Sequence, residues 1–290
     1  MSLKETNESL SDRIKRLLSY VKSDSTSRWR LFDYNNVEIG AQEYLGGVYK
    51  AEKDAVKNAD YGAMWMLAAI TGDRVLKNSR LPYALNFKLA QQNLKDSFLM
   101  GAAAGQYYLY KSKRFTEEWG PYSEPMATAY YLLMDIGNVL LFEPENRELK
   151  KSLSLAANWL LGKMHKNGRW EIAYKNDSHD PLLPDEYDYR PTFYGLLVAY
   201  KILKDQRFLD GAIKGADWFV ENAVKNGYYL GVCGDTRFAP DFATGQSAQA
   251  LLDLYETTGI EKYKNAAIDV AQIYTTSIYS HPIPSMLQKK

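Results

Sequence analysis

The chain has a single cysteine, Cys233, and only three histidines, His165, His179 and His281, among 290 residues. One thiol cannot form an intrachain disulfide, so the fold stands without covalent staples, and the redox compartment stays open. The histidines lie far apart and make no H-x-x-H or C-x-x-C spacing, which argues against a zinc site built from them. No stretch approaches ~20 consecutive apolar residues, so nothing reads as a bilayer span. An excess of charge of one sign is also missing. Lys and Arg number 36, Asp and Glu 35, for a net charge of +1, and such a balance gives no electrostatic footprint for nucleic acid or an anionic membrane. With 19 Gly, 10 Pro and 46% hydrophobic residues, the composition is neither collagen-like nor that of a disordered chain.

Aromatic residues are in excess: 13% of the chain, including 23 Tyr and 6 Trp. A chain of this length buries roughly three quarters of its unfolded surface, enough for a large core. Closed repeat architectures run this long as one domain. With no Pro/Gly/Ser linker, a single domain over residues 1–290 is expected, residues 1–6 and 282–290 being peripheral. The start, Met1-Ser2-Leu3 and then polar residues, is not a signal peptide and reads as an expression leader. Location therefore stays open between the cytoplasm and an exported compartment whose signal has been trimmed.

Helical periodicity dominates. Leu10, Ile14, Leu17, Leu18 and Val21 fall on one face of a first helix. From Asp60 a longer unit recurs: an apolar helix, a short turn, an amphipathic helix and a long connection. Tyr200, Phe208 and Ala212 stand at the same offsets as Tyr255, Tyr263 and Ala267, around the turns Lys204-Asp205-Gln206 and Thr257-Thr258-Gly259. Looser copies run from Tyr61 to Thr71-Gly72-Asp73, and from Met126 to a helix end at Gly137 followed by a second helix near Glu145 to Met164. Hairpins repeating in this way bury each other's apolar faces. The pattern predicts an all-α toroid of helical hairpins, of (α/α)6 type, complete or incomplete. Apolar helices form its inner ring and charged ones its outer ring. Alternating runs such as Trp170–Tyr174 are short and predict only minor hairpins within loops.

The long connections are Ser23 to about Ala59, Lys111 to Glu124, Lys166 to Arg190, and Asn226 to Thr244. In a ring of hairpins they share the face that holds the inner-helix N-termini, and long ordered loops on a rigid scaffold are where function usually lies. They carry carboxylates beside aromatic rings, including Trp119, Trp170, Glu171, Tyr187, Tyr189, Tyr228, Asp235, Arg237 and Phe238. That pairing suits sugars, whose C–H faces stack on flat rings while their hydroxyls bond to charged groups. An acid stands near the start of each inner helix: Asp60, Glu124, Asp188 and Asp241. Two carboxylates flanking a glycosidic bond perform general acid and base catalysis, but a carboxylate near a helix start is also a common cap. Trp170 and Glu171 read either as a platform and an acid or as a hairpin packed on the rim. Trp65 and Trp218, within helices, read as core. His179 reads as solvated. Cys233 reads as buried. Arg190 and Arg237 are placed to pair with a uronate or with neighbouring carboxylates.

The segment Phe242-Ala-Thr-Gly-Gln-Ser-Ala-Gln-Ala-Leu-Leu-Asp-Leu-Tyr-Glu-Thr-Thr-Gly-Ile-Glu-Lys-Tyr263 resembles the hairpin unit of the six-hairpin glycosidase-like proteins, and so does Asp188 to Ala212. Ala59 to Asp73 looks somewhat like the aspartate-bearing inner helix of the unsaturated glucuronyl and rhamnogalacturonyl hydrolases. The resemblance covers most of the chain beyond about residue 57 and implies an (α/α) toroid. Its superfamily includes glycosidases, sugar epimerases and domains of polysaccharide lyases. These motifs mark the fold more than a reaction.

The resulting expectation is glycoside hydrolysis on an oligosaccharide or polysaccharide fragment, with or without uronic acid. Asp188 is the general acid, and Asp60, Glu124 or Asp241 the group that activates water. Trp119, Trp170, Tyr187 and Tyr189 are the stacking walls, with Glu171, Arg190 and Arg237 binding substrate. No cofactor or metal is called for, and the oligomeric state is left open. One alternative is a polysaccharide lyase, with Tyr187 or Tyr189 as base and Arg190 neutralising a uronate. Another is a glycan-binding protein without catalysis.

Overall fold

The computed structural model describes residues 9–46, 48, 53–57, 61–234, 237 and 239–279; Asp60, Asp235 and Phe238 lie outside them. The chain falls into two compact units, Met1–Asn93 with Ala104–Pro121, and Leu94–Ala103 with Tyr122–Lys290.

The first unit opens with α1 (Leu10–Lys22), capped by the Ser9 side chain, and α2 (Asp24–Ser27). It then forms a five-stranded antiparallel sheet of β1 (Trp29–Tyr34), β2 (Val37–Glu43), β3 (Ala55–Lys57), β4 (Tyr107–Leu109) and β5 (Arg114–Thr116), in that spatial order. Asn35 and Asn36 both take positive φ between β1 and β2, the conformation a tight hairpin needs. Helices α3 (Tyr61–Thr71), α4 (Arg74–Ser79) and α5 (Leu81–Ala90) follow β3. Phe87 of α5 joins Ile39, Ala41, Val56, Tyr108 and Phe115 in one core cluster. The connection read from sequence as the loop Ser23–Ala59 thus contributes three strands of a sheet. Its strands are short, and their inward positions do not alternate cleanly along β1, so the period-2 signal is weak.

The second unit is built of helical hairpins. A continuous helical run joins α6 (Pro125–Thr128), a π-helical segment Ala129–Met134 and α7 (Asp135–Leu140). It pairs with α8 (Arg147–Gly162), which Asn146 caps. A short two-stranded sheet pairs β6 (Tyr122–Ser123), just before α6, with β7 (Tyr174–Lys175), which follows α8. The next hairpins are α9 (Phe193–Leu203) with α10 (Gln206–Phe219), and α11 (Phe242–Thr258) with α12 (Glu261–Tyr279). Their turns pass through left-handed residues, Lys204 and Gly259, and Asp205 caps α10. The repeated positions Phe208, Ala212, Tyr263 and Ala267 are all buried, as the repeated offsets require.

One boundary differs from the sequence reading. Gly137 does not end its helix, which continues to Leu140. A Cβ at Gly137 would stand 2.4 Å from Val198 Cγ1, and one at Gly195 would stand 2.9 Å from Ala129 Cβ and 3.1 Å from Ala129 Cα. These glycines let two inner helical runs approach closely, so here glycine marks packing rather than a turn. Gly195→Ala pushes against backbone as well as side chain, and overpacking of this kind costs about 1–3 kcal/mol. A clear drop in Tm by differential scanning calorimetry is the expected result; an unchanged Tm contradicts the close approach.

Candidate functional site

Three of the long connections meet on the Arg190 side chain. Arg190 is 1% exposed. Its Nε donates to Asp188 Oδ1 at 2.6 Å and its Nη1 to Glu124 Oε2 at 2.7 Å. Nη1 also donates to Val232 O at 2.8 Å, and Nη2 to Ile172 O at 3.2 Å. Burial opposes the guanidinium charge, but Asp188 and Glu124 outweigh it and raise the pKa of Arg190. Glu124 occupies the N-cap position of α6, and Asp241 that of α11. Asp241 Oδ1 accepts from Ala243 N and from Val232 N, each at 2.8 Å. Val232 therefore joins Asp241 to Arg190, and Arg190 joins both to Glu124. The starts of α6, α9 and α11 are gathered at one end of the second unit.

Burial alternates along residues 187–190: Asp188 and Arg190 are buried, Tyr187 is exposed and Tyr189 half-buried. Asp188 and Arg190 turn inward. Tyr187 and Tyr189 turn to the other side, where Tyr187 is 42% exposed. Tyr189 stacks on Trp218 at 5.5 Å, and Tyr228 meets Tyr189 edge-on at 6.0 Å. Arg237 lies over Tyr228 at 5.0 Å and pairs with Glu186 at 3.4 Å. Arg169 covers Tyr187 at 4.7 Å. Trp218, read as core, is half-buried and belongs to this aromatic face.

The four acids read from sequence part company here. Asp60 lies outside the described residues. Asp188 spends both oxygens within the protein, Oδ1 on Arg190 and Oδ2 on the Thr192 hydroxyl at 2.8 Å. Glu124 is buried against Arg190. Asp241 is half-buried, and its Oδ2 has no hydrogen bond among the described residues.

Several expectations are corrected. Trp170 is 4% exposed, and its indole N–H donates to Leu160 O at 2.8 Å, so it packs within the scaffold rather than standing in a wall. Glu171 is buried, with Oε1 accepting from Arg169 at 2.9 Å and lying 2.7 Å from His165 Nε2; it anchors Arg169. Of the two pairings open to Arg190 from sequence, the structure shows the one with neighbouring carboxylates, Asp188 and Glu124. His179 stacks on Phe98 at 4.4 Å and bonds Asp96 at 2.9 Å, and Cys233 is exposed. Trp119 is 55% exposed and belongs to the first unit.

Tyr130 was not singled out by the sequence reading. It lies in the π-helical segment, its ring 5.5 Å from that of Phe242 at the start of α11, and its hydroxyl is buried without a partner. Burial raises its pKa, opposed by Arg190 and aided by Asp241 and Asp188. Burial likewise raises Tyr194, bonded to Asp253, and Tyr263, bonded to Asp217, and pushes Tyr174 and Tyr229 up to about 12. Up to about pH 10 these phenols are protonated in both folded and unfolded chains. Above it only the unfolded chain ionises them readily, so stability falls as pH rises. A near-ultraviolet titration should show these five ionising late, together with loss of helical circular dichroism. Smooth ionisation of every tyrosine near pH 10 in a folded protein contradicts the burial.

No family model and no curated protein matches the sequence. Solved structures do. A family 76 α-mannanase from Bacteroides thetaiotaomicron aligns with a TM-score of 0.57 and 16% identity, over 92% of this chain and 71% of its own. The shared fold is the (α/α) toroid. A family 76 glycoside hydrolase from a bovine Bacteroides thetaiotaomicron strain gives a TM-score of 0.59 at 14% identity, over 92% of this chain. An unsaturated glucuronyl hydrolase specific for heparin gives 0.53 at 18% identity, over 76%. The chain spans 57% and 62% of the lengths of these last two. Within this toroid fold, the hub at Arg190 ties together the connections that lead into α6, α9 and α11.

Proposed function

We propose that the protein is a carbohydrate-processing enzyme, a glycoside hydrolase that works at the starts of its inner helices. The observation that carries this reading is the convergence of three connections on Arg190, with the uncommitted oxygen of Asp241 beside them. The aromatic face of Tyr187, Tyr189, Trp218 and Tyr228 supports it, since stacked and exposed rings suit sugar faces. So does the fold shared with a mannanase and a glucuronyl hydrolase.

In this reading Asp241 is the acid–base carboxylate. Asp188, first in line from sequence, can donate a proton only by giving up Arg190 and Thr192, so here it is a positioning residue. Glu124 holds the other side of Arg190 and is the candidate for the second carboxylate. The helix starts at α9 and α11 add a positive field that favours the anionic form of a carboxylate placed there. The lyase alternative loses support because its neutralising arginine is already paired twice.

The experiment is a panel of neutral manno-oligosaccharides and unsaturated uronyl oligosaccharides, followed by release of reducing ends. Hydrolysis of one class supports the reading. A new near-ultraviolet absorbance from an unsaturated product supports the lyase. Binding without turnover makes the protein a glycan-binding toroid.

A further inference from the structure

Two hydroxyls at the start of α11 are buried without hydrogen-bond partners: Tyr130 OH and Thr244 Oγ1. Buried polar groups are almost always paired, so an orphan calls for a reason. Tyr130 also sits in a π-helical turn, a feature that recurs at functional sites, and the charges of Asp188, Arg190 and Asp241 all act on its phenol. Arg190 is the cation among these, and Asp188 and Glu124 enclose it. The groups left to meet a ligand are therefore the Tyr130 phenol, the Thr244 hydroxyl and the acceptor Oδ2 of Asp241. Phe242, 58% exposed, lies against the Tyr130 ring. Being exposed, it is not held on all sides by core packing, and a ligand would reach the phenol by displacing it.

We infer that Tyr130 and Asp241 together hold a neutral hexose unit through neighbouring hydroxyls, beside the ring of Phe242, and that this position disfavours a uronate. The inference rests on the reading of this end of the toroid as a sugar-processing site, and it names the substrate class. The phenol donates to one sugar oxygen and the Asp241 carboxylate accepts from the adjacent hydroxyl. A uronate brings a second negative charge beside Asp188, Glu124 and Asp241, with the nearby guanidinium already spent. Selection between the two sugars is thus a matter of repulsion as well as fit.

The test compares wild type with Tyr130→Phe, which removes one oxygen and no packing volume. Isothermal titration uses two probes of equal length, mannotetraose and a tetrasaccharide ending in glucuronic acid. Turnover of both is measured in parallel. The phenol has no partner in the free protein, so the variant keeps its Tm. The expected result is mannotetraose binding that is about tenfold weaker in Tyr130→Phe, and wild-type binding of the uronate at least tenfold weaker than of mannotetraose. A loss of about tenfold corresponds to about 1.4 kcal/mol, within reach of one hydrogen bond. Equal mannotetraose affinity in variant and wild type, with turnover intact, overturns the role of Tyr130 and leaves the hydrolase reading standing. Equal or tighter uronate binding overturns the neutral-sugar assignment. A wild type that neither binds nor turns over either probe overturns the inference, and with it the reading on which it rests.

Discussion

Asp241→Asn is expected to lower kcat by ~10²–10⁴-fold, the range typical of a lost acid–base group, while Tm changes little. The two halves of this expectation have separate causes. Asp241 Oδ1 accepts from Ala243 N and Val232 N, and Asn caps a helix about as well as Asp. The amide oxygen keeps both bonds, so α11 stays capped and the fourth connection stays attached. What disappears is the ionisable group whose Oδ2 has no hydrogen bond among the described residues. Steady-state kinetics on a substrate found in the oligosaccharide panel, with calorimetry on the same preparation, checks both halves. A large loss of Tm with kcat retained makes Asp241 a structural cap and removes it from the chemistry.

Arg190→Met has the largest expected effect on stability. It leaves Asp188 and Glu124 buried without their shared cation, and breaking a buried ion pair in this way costs about 3–5 kcal/mol. For a chain of this size, about 2–4 °C of Tm accompanies each kcal/mol, so a fall on the order of 10 °C is expected in calorimetry. Val232 O and Ile172 O also lose their donor, which loosens the third and fourth connections. Neutralising the carboxylates as well, in Arg190→Met with Asp188→Asn and Glu124→Gln, should recover part of the loss, because the penalty lies in unpaired charge. A change under about 2 °C for Arg190→Met alone shows that the three connections are not held through this side chain.

The hairpins were legible because their signals are local and repeated. Apolar runs at helical spacing, the Lys204-Asp205 and Gly259 turns, and the matched offsets of Phe208 and Tyr263 all report on neighbouring residues. The sheet of the first unit was not legible, because its strands are short and two of them lie more than 50 residues beyond the others' start. Pairing across that separation leaves no local mark. Gly137 illustrates a related ambiguity: glycine ends a helix or admits a neighbouring one, and only the position of Val198 decides between them.

The site was legible in outline and not in its assignments. The acids near the inner-helix starts at Glu124, Asp188 and Asp241 do converge, but sequence cannot say which carboxylate a buried arginine takes. Period-2 alternation in Tyr187-Asp188-Tyr189-Arg190 was the available signal. It separates the two tyrosines from the ion pair, and it would have marked Asp188 as the partner of Arg190. Tyr130 carried no such signal, since a tyrosine on an apolar inner helix reads as core. Trp170 misled for the converse reason: it stands beside charged residues in a long connection yet packs inward against Gly215.

The most direct test is a crystal structure of Asp241→Asn with an oligosaccharide drawn from the substrate panel. The account predicts a sugar ring at the start of α11, beside Phe242 and within hydrogen-bond reach of residue 241, while Arg190 keeps its contacts to Asp188 and Glu124. Sugar bound only at a distant surface, or helix starts of α6, α9 and α11 that open on different ends, contradicts it.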